Sequence, residues 1–177
     1  MSRKMILTSL GLALPLAALA LSGWVPREAP SRIAGTFAAR YTEQHPAPIS
    51  DATGHMIMLG RAQGINRNTG PTPYMDRAKV TNVEFADLVQ GNGPQQGYIS
   101  MSSGPDTVIS KWSGKVTTTL SPEQTPITTF QGTWSKVKGT GRYKAVAGSG
   151  NYRGRFTSQT EYTVDWDGEL SGALAEK

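Results

Sequence analysis

Cysteine is absent from all 177 residues. No disulfide can staple the fold, no thiolate can serve as nucleophile or ligand, and no lipidated cysteine can tether the chain. Stability has to come from a packed core. Histidine is nearly as scarce. His45 stands beside Pro46 and Pro48, His55 opens an extended run, and neither belongs to a His-Glu-x-x-His or other paired spacing that would hold zinc. Both are read as surface or packing residues. A Gly-x-Ser-x-Gly elbow is also missing, which leaves an α/β-hydrolase serine unsupported. No run in the body of the chain repeats apolar residues every 3.6 positions over three turns; only residues 143–147 suit one short helical turn. No metal and no cofactor are expected.

Two further patterns fall short of a site. Gly148-Ser-Gly-Asn-Tyr-Arg-Gly154 has the wrong spacing for a phosphate loop and no βαβ context, so its glycines are read as turn and barrel-corner positions. Asp165-x-Asp167-x-Glu169 puts three carboxylates on one strand face. Same-face residues on a strand recur about 7 Å apart, too far to chelate one calcium ion without loops.

The one long apolar run is N-terminal. Arg3 and Lys4 precede a stretch from Met5 to Leu21, and Ala18-Leu-Ala20 offers the small-x-small pattern of a signal peptidase site. The run is short for a membrane span, contains Pro15 and lacks a basic stop signal. Residues 1–20 are therefore expected to be a signal peptide, leaving a secreted or periplasmic protein with no stable membrane anchor. Its removal takes away two basic groups and lowers the formal charge from +5 to +3. So small an excess argues against general polyanion binding, and no nucleic-acid partner is expected. The distribution is less even: Lys136, Lys138, Arg142, Lys144, Arg153 and Arg155 lie in a window without acids between Glu123 and Glu161. Such a window suits a basic face for phosphate or acidic polysaccharide. The plainer expectation is a solvated strand face neutralised by the acidic last strand.

After a flexible lead-in over 21–33, residues 34–172 read as a single all-β domain with a tail at 173–177. Runs at about 34–42, 54–63, 78–89, 96–103, 106–119, 126–137, 151–158 and 160–170 are strand-like. Clusters such as Pro46-Ala-Pro48, Asn66 to Pro71, Gly91-Asn-Gly-Pro94 and Gly139-Thr-Gly141 punctuate them. Alternation is strict in the last run: Tyr162, Val164, Trp166 and Leu170 on one face, Glu161, Asp165, Asp167 and Glu169 on the other. About eight short strands with one wet face favour an antiparallel closed barrel, which leaves no edge to protect. Residues 152–170 keep one parity throughout. They form either one bent strand or a hairpin with a three-residue turn that would set Arg153 opposite Asp165.

Gly139-Thr-Gly-Arg-Tyr-Lys-Ala-Val-Ala-Gly148 resembles the Gly-Thr-Gly-basic-aromatic-basic turn of the allene oxide cyclase and dirigent-type barrels. The region from about 35 to 170 resembles bacterial exported proteins of that type. The resemblance implies an eight-stranded antiparallel barrel, calycin-like in outline, with an apolar lumen, and a homo-oligomer, trimeric in plant relatives. The chain departs from the cyclases in having no cysteine, and no catalytic residue is carried over.

A barrel of about eight strands either fills with side chains or holds one small ligand. Trp112, Phe130, Trp134, Tyr162 and Trp166 share the apolar parity of their strands and are the candidate ligand-binding residues, or simply core. Glu84 and Asp87 sit on opposite faces of one strand, so one should point inward, where burial would raise its pKa and suit it to acid–base work. Three functions fit: a barrel binding a small apolar ligand or an envelope partner, a cofactor-free cyclase or isomerase, and a structural or interaction barrel with a filled lumen.

Overall fold

Alternating apolar and polar residues persist along each extended run, and the runs close on one another. The computed structural model describes residues 29–172 and Leu174. The strands are β1 (Ser31–Pro48), β2 (His55–Asn68), β3 (Lys79–Val89), β4 (Gly93–Ser103), β5 (Asp106–Leu120), β6 (Pro126–Gly139), β7 (Ala147–Phe156) and β8 (Glu161–Ser171). Each pairs antiparallel with the next, and β8 returns to β1 from Ser31↔Leu170 to Arg40↔Glu161. The fold is an all-β closed barrel of eight antiparallel strands. The expected signal peptide and the first part of the lead-in lie outside the described residues.

Several boundaries differ from the sequence reading, each for a tertiary reason. The lead-in was expected to run to 33, yet β1 begins at Ser31 and buries Ile33, because closure against β8 recruits those residues. Pro46-Ala-Pro48, read as a turn, is strand. Beyond Arg40 no β8 residue pairs with β1, so that stretch has β2 on one side only, and an edge tolerates proline. Asn66, placed in a turn, is a fully buried residue of β2. β7 starts at Ala147, not 151, and the helical turn is a 3₁₀ turn at Gly141–Tyr143, not 143–147. Residues 152–170 form a hairpin: Thr157 N–H bonds to Glu161 O, three residues separate the two, and Arg153 stands opposite Asp165.

The two barrel ends differ. One is plugged by the 69–78 and 140–146 segments. Tyr143 is 1% exposed, its hydroxyl accepts the Met75 N–H at 3.3 Å, and its ring meets Tyr74 edge-on at 5.1 Å. Arg142 anchors this plug by ion-pairing with buried Asp106 at 2.8 Å. Gly141 has φ +55°, and a Cβ there would run into the Asp106 carboxylate, so this turn requires glycine. The Gly-Thr-Gly-Arg-Tyr unit is thus the barrel's stopper. The opposite end, ringed by segments 49–54, 90–92, 121–125 and 157–160, is the mouth.

Candidate functional site

Inward parity on β1, β5, β6, β7 and β8 delivers aromatic rings to the barrel axis. Phe130 packs on Tyr162 at 5.7 Å, Phe156 at 5.5 Å and Tyr152 at 6.3 Å between ring centres. Trp112 meets Tyr152 at 5.6 Å, and Trp134 meets Trp166 at 6.2 Å. Space for these rings comes from glycines one or two strands away. A Cβ at Gly97 would sit 2.7 Å from Trp112 Cζ2, and one at Gly168 would sit 2.6 Å from Trp134 Cζ2. What remains is a cavity of about 70 Å³ lined by all five expected residues, Trp112, Phe130, Trp134, Tyr162 and Trp166. It is smaller than the roughly 150 Å³ cavity that takes a benzene molecule. A larger cleft of about 420 Å³ lies at the mouth and shares Tyr41, Glu84, Gln95 and Phe156 with the lumen.

Glu84 is the inward carboxyl. It is 9% exposed, accepts the Tyr41 hydroxyl at Oε1 and accepts Asn82 Nδ2 at Oε2, 2.7 Å away. Burial pushes its pKa above the ordinary carboxyl value, and the hydrogen bonds from Tyr41 and Asn82 oppose the shift. The phenol of Tyr41 is pushed far upward by burial first and by the Glu84 charge and hydrogen bond next, so it stays a hydroxyl. Tyr162 is raised too, by burial and then by Glu84. Asn82 organises the group. The indole N–H of Trp112 can only donate, so it fixes Asn82 Oδ1 toward itself at 2.8 Å and turns Nδ2 toward Glu84 and the Tyr162 hydroxyl, 3.1 Å away. Asn66 repeats the device at the plugged end, accepting Trp166 Nε1 at 3.0 Å and donating to Met75 O at 2.8 Å. Among the described residues no buried side-chain polar atom lacks a partner.

Trp112 and Trp166 are buried, at 8% and 6% exposure, whereas Trp134 is half-buried. Its N–H reaches Asp167 O at 3.1 Å, and its ring lies against Gly148 and Gly168, which have no side chain to cover it. Sequence reasoning missed Asn82, Tyr41 and Tyr152 as site residues. The inward parity of Asn82 and Glu84 was readable, but a polar residue at an inward position carries no sign of its partner, which lies two strands away.

Asp87 points outward, away from the lumen. It holds His55 Nε2 at 2.7 Å while Asp51 bonds His55 Nδ1, and the His55 side chain is 14% exposed. Neither His55 nor Asp87 is therefore isolated. Two carboxylate acceptors require both ring nitrogens to donate, so the geometry selects the imidazolium. Its pKa is raised, by the hydrogen bond it donates to Asp51 and then by the one it donates to Asp87. A raised histidine pKa stabilises fully below the ordinary value, and the contribution is lost as pH rises through the folded-state value. The Tm difference between the native chain and His55→Ala is therefore expected to shrink as pH climbs from about 5 to about 9. A difference independent of pH would remove the charged clasp.

No protein-family model and no curated protein matches the chain. Among solved structures it is similar to the pterocarpan synthase dirigent protein PsPTS1, with 14% identity, 85% of this chain and 100% of that chain covered, and a TM-score of 0.43.

Proposed function

We propose that this chain is an exported barrel that binds a small, largely apolar ligand through its mouth, with a polar group of the ligand meeting Glu84 and Tyr41. One observation carries the reading: a single buried carboxyl stands where the aromatic lumen opens into the mouth cleft. The lumen admits only a slim apolar end, so the rest of the ligand lies in the cleft. Apolar contact is insensitive to screening, and affinity should hardly change with salt. Self-association, implied by the resemblance to trimeric barrels, belongs to the same reading. Leu59 pairs with Phe85 and Val83 with Tyr98 on the outer wall, four exposed apolar side chains side by side.

The same carboxyl favours a second reading, a cofactor-free cyclase or isomerase. A neutral carboxylic acid can protonate a developing alkoxide or enolate, and the resulting carboxylate can take a proton from another carbon of the same substrate, with no net redox change. Tryptophan fluorescence titration of the mature protein with fatty acids, terpenoids and aromatic phenols tests both. Saturable quenching that Trp134→Ala or Phe156→Ala weakens about tenfold is expected. Conversion of a bound compound, abolished in Glu84→Gln, would select the isomerase. If no compound perturbs the emission, the lumen is structural packing and both readings fail.

A further inference from the structure

The outer wall over β5, β6 and β7 has a chemistry that the lumen does not use. Lys115, Gln131 and Arg153 stand side by side in one row across the three strands, and Thr117, Thr129 and Arg155 form the next. All six side chains point to solvent. They line a depression of about 810 Å³. Gly114, Gly132 and Gly154 lie among the inward positions behind it, beside Val116 and Phe130. The two flanking strands carry the cations, Lys111 and Lys115 on β5 and Arg153 and Arg155 on β7. The strand between them offers only hydroxyls and an amide. With neighbouring strands about 4.8 Å apart, the two cationic lines stand about 10 Å from each other.

Neutralisation by the last strand, the plainer sequence expectation, is mostly not realised. Only Arg153 meets an acid in register, Asp165; Arg155 faces Thr163, Lys115 faces Gln131 and Lys111 faces Ser135. Among the described residues none of these four cations takes part in an ion pair. Asp165 is the single carboxylate in the depression. Farther along β8, Asp165, Asp167 and Glu169 form an acidic border on one side.

We propose that this trough binds a linear acidic polysaccharide, with uronate or sulfate groups held by the flanking cations and sugar hydroxyls by Thr117, Thr129 and Gln131. Arginine's planar fork fits a carboxylate or a sulfate bidentately. Hydroxyl and amide side chains exchange hydrogen bonds with sugar hydroxyls as donors and acceptors. A single glycan chain fits between the cationic lines. The acidic border repels a wider polyanion such as a nucleic-acid duplex, and the six residues include no exposed aromatic on which single-stranded bases would stack.

Affinity electrophoresis of the full mature protein through gels containing alginate, heparin or neutral dextran tests the proposal. Alginate reports uronate binding, heparin reports sulfate binding, and retardation by either, but not by dextran, is expected. The double variant Arg153→Ser/Arg155→Ser should weaken it about tenfold or more, because it removes both charge-assisted partners on one side of the trough. A charge-matched control, Lys79→Ser/Lys144→Ser, changes exposed lysines outside the trough and should leave retardation as it was. The proposal is overturned by equal loss in the control, by retardation in dextran, by no retardation in either acidic gel, or by a competing oligonucleotide that binds more tightly than both glycans. All substituted side chains are exposed, and an unchanged Tm confirms that the variants are folded.

Discussion

Gly35→Ala should lower stability by at least about 3 kcal/mol, the upper part of the range for overpacking a filled core. A Cβ at Gly35 would lie 2.6 Å from Cε2 of the Trp166 ring and 2.8 Å from the Arg67 carbonyl oxygen. Neither can yield cheaply. Trp166 is pinned by its hydrogen bond to buried Asn66 and by Tyr74 packed on it at 5.6 Å, and the Arg67 carbonyl belongs to the ladder that joins β1 to β2. For a domain of this size the loss corresponds to a Tm lower by roughly 10 °C. Gly104→Ala is the control: Gly104 has φ +57° with nothing within 4 Å of its would-be Cβ, so only the left-handed conformation is penalised, about 1 kcal/mol. Thermal melts that rank the two variants equally would mean that ring-on-glycine packing does not set the width of the lumen.

The second large effect is expected at Asn82. Asn82→Leu keeps the branched shape but leaves the Trp112 N–H without an acceptor and Glu84 Oε2 and the Tyr162 hydroxyl without their donor. Unsatisfied buried groups cost about 1–3 kcal/mol each, so a loss of about 3–4 kcal/mol should appear in denaturant melts. Asn82→Asp separates electrostatics from packing. The new carboxyl can still accept the indole N–H, but it brings a second acid beside Glu84. Two adjacent carboxyls raise a folded-state pKa above its unfolded value, so stability is retained at low pH and is lost as pH rises through the raised value. A Tm deficit that widens with pH is therefore expected for Asn82→Asp, against a nearly constant one for Asn82→Leu. Parallel pH profiles would show that Glu84 does not sense its neighbour.

Much of this architecture was legible in residue order. Two-residue alternation marked eight strands, and the parity of Trp112, Phe130, Tyr162 and Trp166 marked the faces that became the lumen. The even spacing through 152–170 allowed the hairpin register that puts Arg153 opposite Asp165. The ends of the strands were less legible, because proline and glycine mark turns only where no partner strand holds the backbone. Ser31 to Ile33 and Pro46 to Pro48 are strand because β8 and β2 lie beside them.

The sequence alone determined that no disulfide or thiol chemistry is available, that the chain pairs as antiparallel strands and that aromatic rings line one face. These follow from composition and from a period of two, which each strand displays by itself. Tertiary structure decided the site. Closure turned Glu84 inward onto Tyr41 and Asp87 outward onto His55, and it bound Asn82 to Trp112 across a separation of 30 residues. Among the described residues it also left Lys115, Arg153 and Arg155 without an ion pair in one trough. Hydrogen-bond partners and charge neighbours depend on the registers of several strands at once, and no single strand's pattern contains them.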